Sequence, residues 1–498
     1  MIFPTRSRSI FNSTIGLLLL AVSIKLVLFF FFVYSKNSDG LAQGIFYSIE
    51  GDAYSYVEPV ENLLKVGEHR INNGSYSLRM PGYTPFYLAY RIFLSQQWAL
   101  NLTLLTQAIL SGISCYVLAL LSFRMFHSIR IFYMVFIVYT VSTYVSVWDT
   151  YILTESFATS SLIFSCYFIE RALSNNKVVP IILGGLFLTW SIFLRPFLLP
   201  VFALFITTIA IHFYRINTLT TFRKLSLLCY FLIPFLLIDS AWTLRNYRIS
   251  NEFIPLQSRM TYNDGEMFAS EQNPTTTIAD LVRAFGGDHA HWNPKGESYW
   301  FFNNDEFTMT PPFPDQLYND TLTLAHLEEV KRLCIATTKN SMPDQQRAVY
   351  VESISSISKT FYNSYKINHP IHYYITSRLI HLKKFIIHSG VYNLPFPAYK
   401  EQAKHQTIIK LFYAILYLGI TCIGLLMAPV LIVALAKNEP SKAAFFTIPL
   451  YLTLLFPIIL KMHEFRFNTL AYPFLLVSAL YGIDKIQIQL HQWFRRSR

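Results

Sequence analysis

The chain is short of charge, of acid and of cysteine. Charged residues make up 14% of its 498 positions, against about 25% in ordinary soluble domains. That scarcity argues against disordered tails, coiled coils and nucleic-acid-binding arms. Only five cysteines are present, and Cys115, Cys166, Cys229 and Cys422 fall inside apolar runs. Cys334 alone lies in a polar segment, so no disulfide framework or cysteine metal site is expected there. No glycine-rich phosphate loop occurs, and no repeat of about 20–50 residues is visible. Acids are the scarcer sign: 41 Lys and Arg stand against 29 Asp and Glu, a net charge of +12. In a soluble protein that excess would suggest nucleic acid. Here hydrophobic residues reach 53% and are gathered into runs, so the expected anionic partner is a lipid bilayer and not nucleic acid.

A bilayer core needs about 20 consecutive apolar residues in helix. Such runs lie near 13–34, 98–122, 131–148, 156–173, 178–194, 197–214, 225–244, 407–435, 443–460 and 467–484. The reading is an all-α polytopic membrane protein with about ten spans. The first run follows Arg6 and Arg8, exceeds a signal-peptide core and has no small-residue cleavage site after it, so it reads as a retained helix. With the N-terminus in the cytoplasm, every short inside loop is basic: Arg124 and Arg130, Arg171 and Lys177, Arg215, Arg223 and Lys224, Lys437 and Lys442, then Lys485 and Arg495. Both termini are then cytoplasmic, in a plasma membrane of bacterial type.

Three parts follow: 1–245 as a transmembrane catalytic part with a first outer loop at 36–97, 246–405 as an extracytoplasmic domain, and 406–498 as a C-terminal transmembrane part. In the outer loop, Leu63, Leu64 and the Phe86–Ile92 stretch suit helices lying on the membrane surface. In the outer domain, 320–339 and 345–365 place apolar groups at helical spacing, with Asn319 or Asp320 suited to cap the first. The aromatic stretch from 285 to 314 reads as an ordered loop.

Charge near hydrocarbon is costly, so charges kept there are functional candidates. On this topology they gather on the outer side. The first outer loop carries Glu50-Gly51-Asp52-Ala53-Tyr54-Ser55-Tyr56 and then Arg79-Met80-Pro81-Gly82-Tyr83. Later turns carry Trp148-Asp149 and Thr154-Glu155-Ser156, then Arg195-Pro196, then Trp242-Thr243-Leu244-Arg245-Asn246-Tyr247, and finally Lys461-Met462-His463-Glu464-Phe465-Arg466-Phe467. Carboxylates and arginines converging on one face suit a reaction that activates a hydroxyl and expels a phosphate. An arginine fork neutralises phosphate oxygens bidentately and stays protonated. A carboxylate beside the attacking hydroxyl takes its proton, worth about 10²–10⁴-fold.

These motifs, in this order, resemble the membrane-embedded GT-C glycosyltransferases, specifically bacterial relatives of protein O-mannosyltransferases and of the lipid A aminoarabinose transferase. The likeness rests on Gly51-Asp52-Ala53 with Tyr56, Arg79-x-Pro81-Gly82-Tyr83, Thr154-Glu155-Ser156, Arg195-Pro196, Trp242-x-x-Arg245-Asn246-Tyr247 and Glu464-x-Arg466-Phe467. It covers 1–255 and 440–484, while 260–400 matches no pattern. The resemblance implies a GT-C-like bundle that transfers one hexosyl or pentosyl unit from a polyprenyl-phosphate sugar donor to a glycan, lipid or protein acceptor outside the membrane. It implies Asp52 as base or acceptor-positioning group, Glu155 as a second acid, and Arg79, Arg245 and Arg466 on the donor phosphate. Tyr56, Arg195, His463 and Glu464 are further substrate-binding candidates. One base facing a leaving group on the opposite side predicts inversion. No cofactor is required by this chemistry, and a divalent metal stays open.

Each candidate has a plainer reading. Asp52 suits an ordinary turn, Glu155 the start of a helix, Arg195 a hairpin arginine snorkelling to headgroups, and Arg245 an interfacial anchor beside Trp242. His463 with Glu464 suits a satisfied interfacial pair, and Lys25 and Asp239 suit pairing inside the bundle. Two other functions stand beside transfer: a flippase or transporter of lipid-linked sugars, which would place polar residues near the midplane, and an O-antigen polymerase or ligase.

Overall fold

The computed structural model describes residues 7–47, 51–71, 76–257, 261–263, 266–268, 274–338, 342–387 and 404–496. Glu50 of the first motif lies outside them. The chain divides into two compact units: one of 1–257, 389–452 and 466–498, the other of 258–388 and 453–465.

The first unit is a helical bundle. Its helices are α1 (Ser7–Lys36), α2 (Tyr54–Val66), α3 (Thr84–Arg91), α4 (Gln96–Phe126), α5 (Ile129–Val141), α6 (Glu155–Asn175), α7 (Val178–Leu194), α8 (Leu199–Arg215) and α9 (Thr221–Ser250). The short α2 and α3 form where Leu63, Leu64 and the Phe86–Ile92 stretch lead one to expect helices. α6 packs along α7 and α4, α4 also against α1, and α7 against α9. Glycine permits the tightest of these approaches: a Cβ on Gly185 of α7 would stand 2.3 Å from the Phe231 carbonyl oxygen of α9. Serine hydroxyls tie α6 to α7, Ser165 donating to the Gly184 carbonyl at 2.8 Å and Ser161 meeting Ser191 at 2.8 Å. Small residues and hydroxyls at helix contacts are the usual means of packing where lipid removes the hydrophobic drive.

Later in the chain come α14 (Lys404–Ala436), α15 (Pro440–Leu454) and α16 (Tyr472–Arg496), with α14 packed on α16. The second unit holds a two-stranded antiparallel hairpin, β1 (Thr261–Asn263) and β2 (Glu266–Phe268). Its helices are α10 (Pro274–Ala284), α11 (Leu324–Thr337), α12 (Asp344–Asn368) and α13 (Ser377–Ile386). They close over a core of Ile278, Val282, Trp300, Phe301, Leu327, Val330, Ile354 and Phe361. Phe285, Trp300 and Phe301 of the 285–314 stretch are therefore core, while Trp292 and Phe307 are exposed. Thr323, not Asn319 or Asp320, caps α11, because its hydroxyl forms a reciprocal box with His326. Asn319 instead turns its side-chain oxygen back on the Leu322 amide at 2.8 Å. Segment 453–465 belongs to this unit: Arg378 donates to the Ile458 carbonyl at 2.9 Å and Phe385 stacks on Phe456.

Among the described residues six helices are long and apolar enough to cross a membrane, seven if the pair Ile129–Val141 and Thr143–Thr150, bent by 46°, is one span. The expectation of about ten is thus not reached, for a physical reason. α6 is buried in protein from Glu155 to Cys166, so its Ser- and Thr-rich surface meets neighbouring helices and not lipid. α7 is 17 residues long. Lys25, in α1, is wholly buried and donates to Ser146 at 2.7 Å, pairing within the bundle as expected. Asp239 accepts from the Leu256 amide at 3.1 Å.

A candidate active site at the helix ends

Gly51, at a φ of +51°, turns the chain into a single 3-10 turn, Gly51–Ala53, that presents Asp52 just ahead of α2. Ser55 donates to the Asp52 carbonyl at 2.6 Å and fixes that turn. Arg79 arrives on the loop before α3. Its guanidinium spends its donors locally: Nε on Ser55 Oγ at 2.8 Å, Nη1 on the Tyr56 hydroxyl at 3.0 Å and Nη2 on Asp52 Oδ1 at 3.2 Å. It also lies over the Tyr56 ring, 4.5 Å from the centroid. The loop is held by a close approach at Gly82, where a Cβ would stand 2.5 Å from the Phe193 backbone of α7. Trp190 donates to the Gly82 carbonyl at 3.0 Å, and Tyr83, fully buried, packs on Tyr56 and Phe157.

Glu155 is the first residue of α6 and is wholly buried. The hydroxyl of Ser156, next to it, donates to the buried Asp149 at 2.6 Å and orients that first turn. Arg195 ends α7 and is ion-paired with Glu155. Arg466 sits in the 3-10 turn Phe465–Thr469 ahead of α16. It gives Nη2 to Asp52 Oδ2 at 2.9 Å, and its Nε stands 4.0 Å from Glu155 Oε1. Arg195 and Arg466 both lie against the Phe467 ring.

The result is one continuous alternation of charge, Arg79, Asp52, Arg466, Glu155, Arg195, in which three arginines meet two carboxylates. Burial by itself would raise the Asp52 carboxyl, but the charges of Arg466 and Arg79 outweigh it and hold the group below its ordinary value. Neither Glu155 oxygen has a hydrogen-bond partner among the described residues. A buried carboxylate held by charge alone is a group for which a hydroxyl or water donor remains to be supplied. Among the described residues no group of three or more His, Cys, Asp or Glu is arranged to hold a metal.

Six of the candidates read from sequence, Asp52, Tyr56, Arg79, Glu155, Arg195 and Arg466, thus meet in one place. Arg245 does not join them. Its Nη1 donates to the Tyr76 carbonyl at 2.6 Å, its Nη2 to the His69 carbonyl, and its guanidinium stacks on Trp242 at 4.6 Å, so it ties His69 and Tyr76 to α9. His463 and Glu464 belong to the second unit. There His463 meets His381 at 3.0 Å and Asp288 at 3.7 Å. Sequence reasoning quoted Asp149 without giving it a role; its signal was a charge in an apolar span seven residues before Ser156.

No protein-family model and no curated protein matches the sequence. Among solved structures, the chain is similar to ArnT from Cupriavidus metallidurans in the apo state, at 11% identity over 94% of this chain and 77% of that one, with a TM-score of 0.37. It is similar to the same protein bound to undecaprenyl phosphate at 12% identity over 95% and 78%, with a TM-score of 0.36. It is also similar to the archaeal oligosaccharyltransferase AglB from Archaeoglobus fulgidus, in complex with an inhibitory peptide and a dolichol-phosphate. There the identity is 11%, the TM-score 0.44, and the chain covers 97% of itself but 52% of AglB, about half that protein's length.

Proposed function

We propose that this multi-pass membrane protein is a glycosyltransferase that moves one sugar from a polyprenyl-phosphate donor to an acceptor hydroxyl of an envelope glycan, lipid or protein on the extracytoplasmic side. The observation that carries the reading is the Arg79–Asp52–Arg466–Glu155–Arg195 chain. When a glycosyl phosphodiester leaves as a phosphate monoester, negative charge grows on the phosphate oxygens. Arginine forks converging from separate loops favour that growth over the ground state. Arg79 and Arg466 are the donor-phosphate groups in this reading, since both reach Asp52 from separate loops and neither is buried away from solvent. Asp52 takes the proton of the acceptor hydroxyl, and Glu155, with both oxygens lacking a hydrogen-bond donor, receives a second donor from acceptor or water. Attack opposite the leaving phosphate gives inversion. Arg245 holds the loop that carries Arg79 and does not itself meet phosphate.

The test uses membranes containing the chain and a polyprenyl-phosphate sugar labelled in the sugar. Wild type moves label into an acceptor fraction or, with no acceptor, releases it slowly to water. The D52N variant, folded by size-exclusion profile, loses about 10²–10⁴-fold of that rate. Wild-type turnover by folded D52N would remove Asp52 as base. Label crossing sealed vesicles while still lipid-linked, with no transfer, would instead favour a flippase.

A further inference from the structure

A cavity of about 400 Å³ opens at the other end of the first unit, between the ends of α4, α6 and α8 and the start of α15. Along α6 it begins at Cys166 and runs to Ser174. Glu170, on its wall, is fifteen residues from Glu155, about 22 Å along a helix. It is therefore separate from the Asp52 cluster. Its depth is apolar, walled by Leu121, Ile169, Phe205 and Phe445. Its rim is polar, with the cations Arg124 and Lys442 beside His212 and Glu170.

We infer that this cavity binds a membrane phospholipid of the leaflet opposite the Asp52 cluster, with the phosphodiester on Arg124 and Lys442 and the first carbons of a chain among the apolar walls. Three observations carry this. Arg124 is ion-paired with Glu170 through Nε, and its two terminal amino groups donate no hydrogen bond among the described residues. Lys442 lies in the first turn of α15, where the helix dipole adds to the attraction for an anion. Phe123, on the wall, is 37% exposed, and Ile211 and Tyr214 of α8 are more so, so the flank of the cavity faces lipid. An amphipathic cavity at that position takes its occupant from the bilayer. Its volume lies within the range of ligand pockets, about 300–1,000 Å³, enough for a headgroup and part of a chain while the rest stays in the membrane. Glu170 and Glu439, each paired with one of the two cations, leave room for a zwitterionic headgroup as well as an anionic one.

The experiment is native mass spectrometry of the full chain, delipidated in detergent and titrated with phosphatidylethanolamine, phosphatidylglycerol or diacylglycerol. One phospholipid is expected to bind wild type, and R124Q/K442Q to bind it about tenfold or more weakly, the scale of losing one charge-assisted contact. Thr208, on the wall and 5% exposed, supplies a second variant. T208F fills the cavity without touching a charge and is expected to lose the lipid as well, which guards against misfolding of the charge variant. Equal binding of diacylglycerol, unchanged binding by both variants, or displacement of the lipid by millimolar inorganic phosphate would overturn the inference. None of these readouts depends on glycosyl transfer.

Discussion

Glu155 offers the most direct test of the electrostatics. It is wholly buried, its one close countercharge is Arg195, and Arg466 stands 4.0 Å away. Replacing Arg195 by Met keeps an unbranched, shorter apolar stem and removes the charge. Removing one partner of a buried pair costs about 3–5 kcal/mol, because the remaining charge stays desolvated. Arg466 softens this: a pair at 4.0 Å is worth about 4 kcal/mol at an effective dielectric of 20, although Arg466 already serves Asp52. We therefore expect R195M to cost about 3 kcal/mol, the lower end of that range. E155Q added to R195M removes the stranded charge and is expected to return about 2 kcal/mol or more, within the coupling range of neighbouring groups. The assay is resistance to SDS unfolding in mixed micelles, read by fluorescence for wild type, both single variants and the double. A double variant as unstable as R195M would refute the reasoning, since it would show that lost packing and not the stranded carboxylate sets the cost. An R195M as stable as wild type would refute the pairing itself.

Two further outcomes follow. G82A pushes a Cβ to within 2.5 Å of the Phe193 backbone, so the loop carrying Arg79 must shift; overpacking of this kind costs about 1–3 kcal/mol. Transfer is expected to fall at least tenfold while the chain still elutes as a folded species, and unchanged transfer would show that Arg79 does not depend on this contact. In the second unit, burial pushes His289 and His381 down to about 3, with the charge of Arg283 adding to it at His289 and that of His463 at both. Both are neutral when folded and take up protons when unfolded, so stability falls as pH drops from about 6.5 toward 3. At pH 5 each histidine accounts for about 2 kcal/mol. Hydrogen exchange across α10 and α13 should quicken between pH 7 and 5, and H381N should flatten that dependence; a flat wild-type profile would contradict it.

The sequence made the solvent legible and the neighbours less so. Apolar runs locate the long helices because lipid demands about 20 apolar residues wherever a helix faces it. The same test fails for α6, which faces protein. Motif order brought out Asp52, Arg79, Glu155, Arg195 and Arg466, but not which pairs with which: Asp52 and Arg466 are 414 positions apart. Arg195 reads as a snorkelling hairpin residue from its Pro196 neighbour, and only the folded chain shows it meeting Glu155. Arg245 reads as a phosphate ligand because its charge and its place near the outer end of α9 are visible. Its donors go to the Tyr76 and His69 carbonyls, partners that no hydropathy pattern encodes. His463 and Arg466 are three residues apart, yet they pack in different units, since 453–465 is drawn into the second unit by Arg378 and Phe385.

Placement of the charges separates the enzymatic reading from the transporter reading. Asp52 precedes α2, Glu155 begins α6, Arg195 ends α7 and Arg466 precedes α16, while Arg79 lies on the loop before α3, so the cluster gathers at helix ends and a loop. A transport site requires polar groups partway along spans, where half-helix ends and unwound backbone meet a passing substrate. Of the charges that do lie within spans, Asp149 is buried and accepts from Ser156, and Lys25 of α1 is wholly buried and engaged by Ser146. It braces the bundle and faces no path. Helix ends suit chemistry, because loops bring groups together from distant parts of the chain while the helices fix their distances.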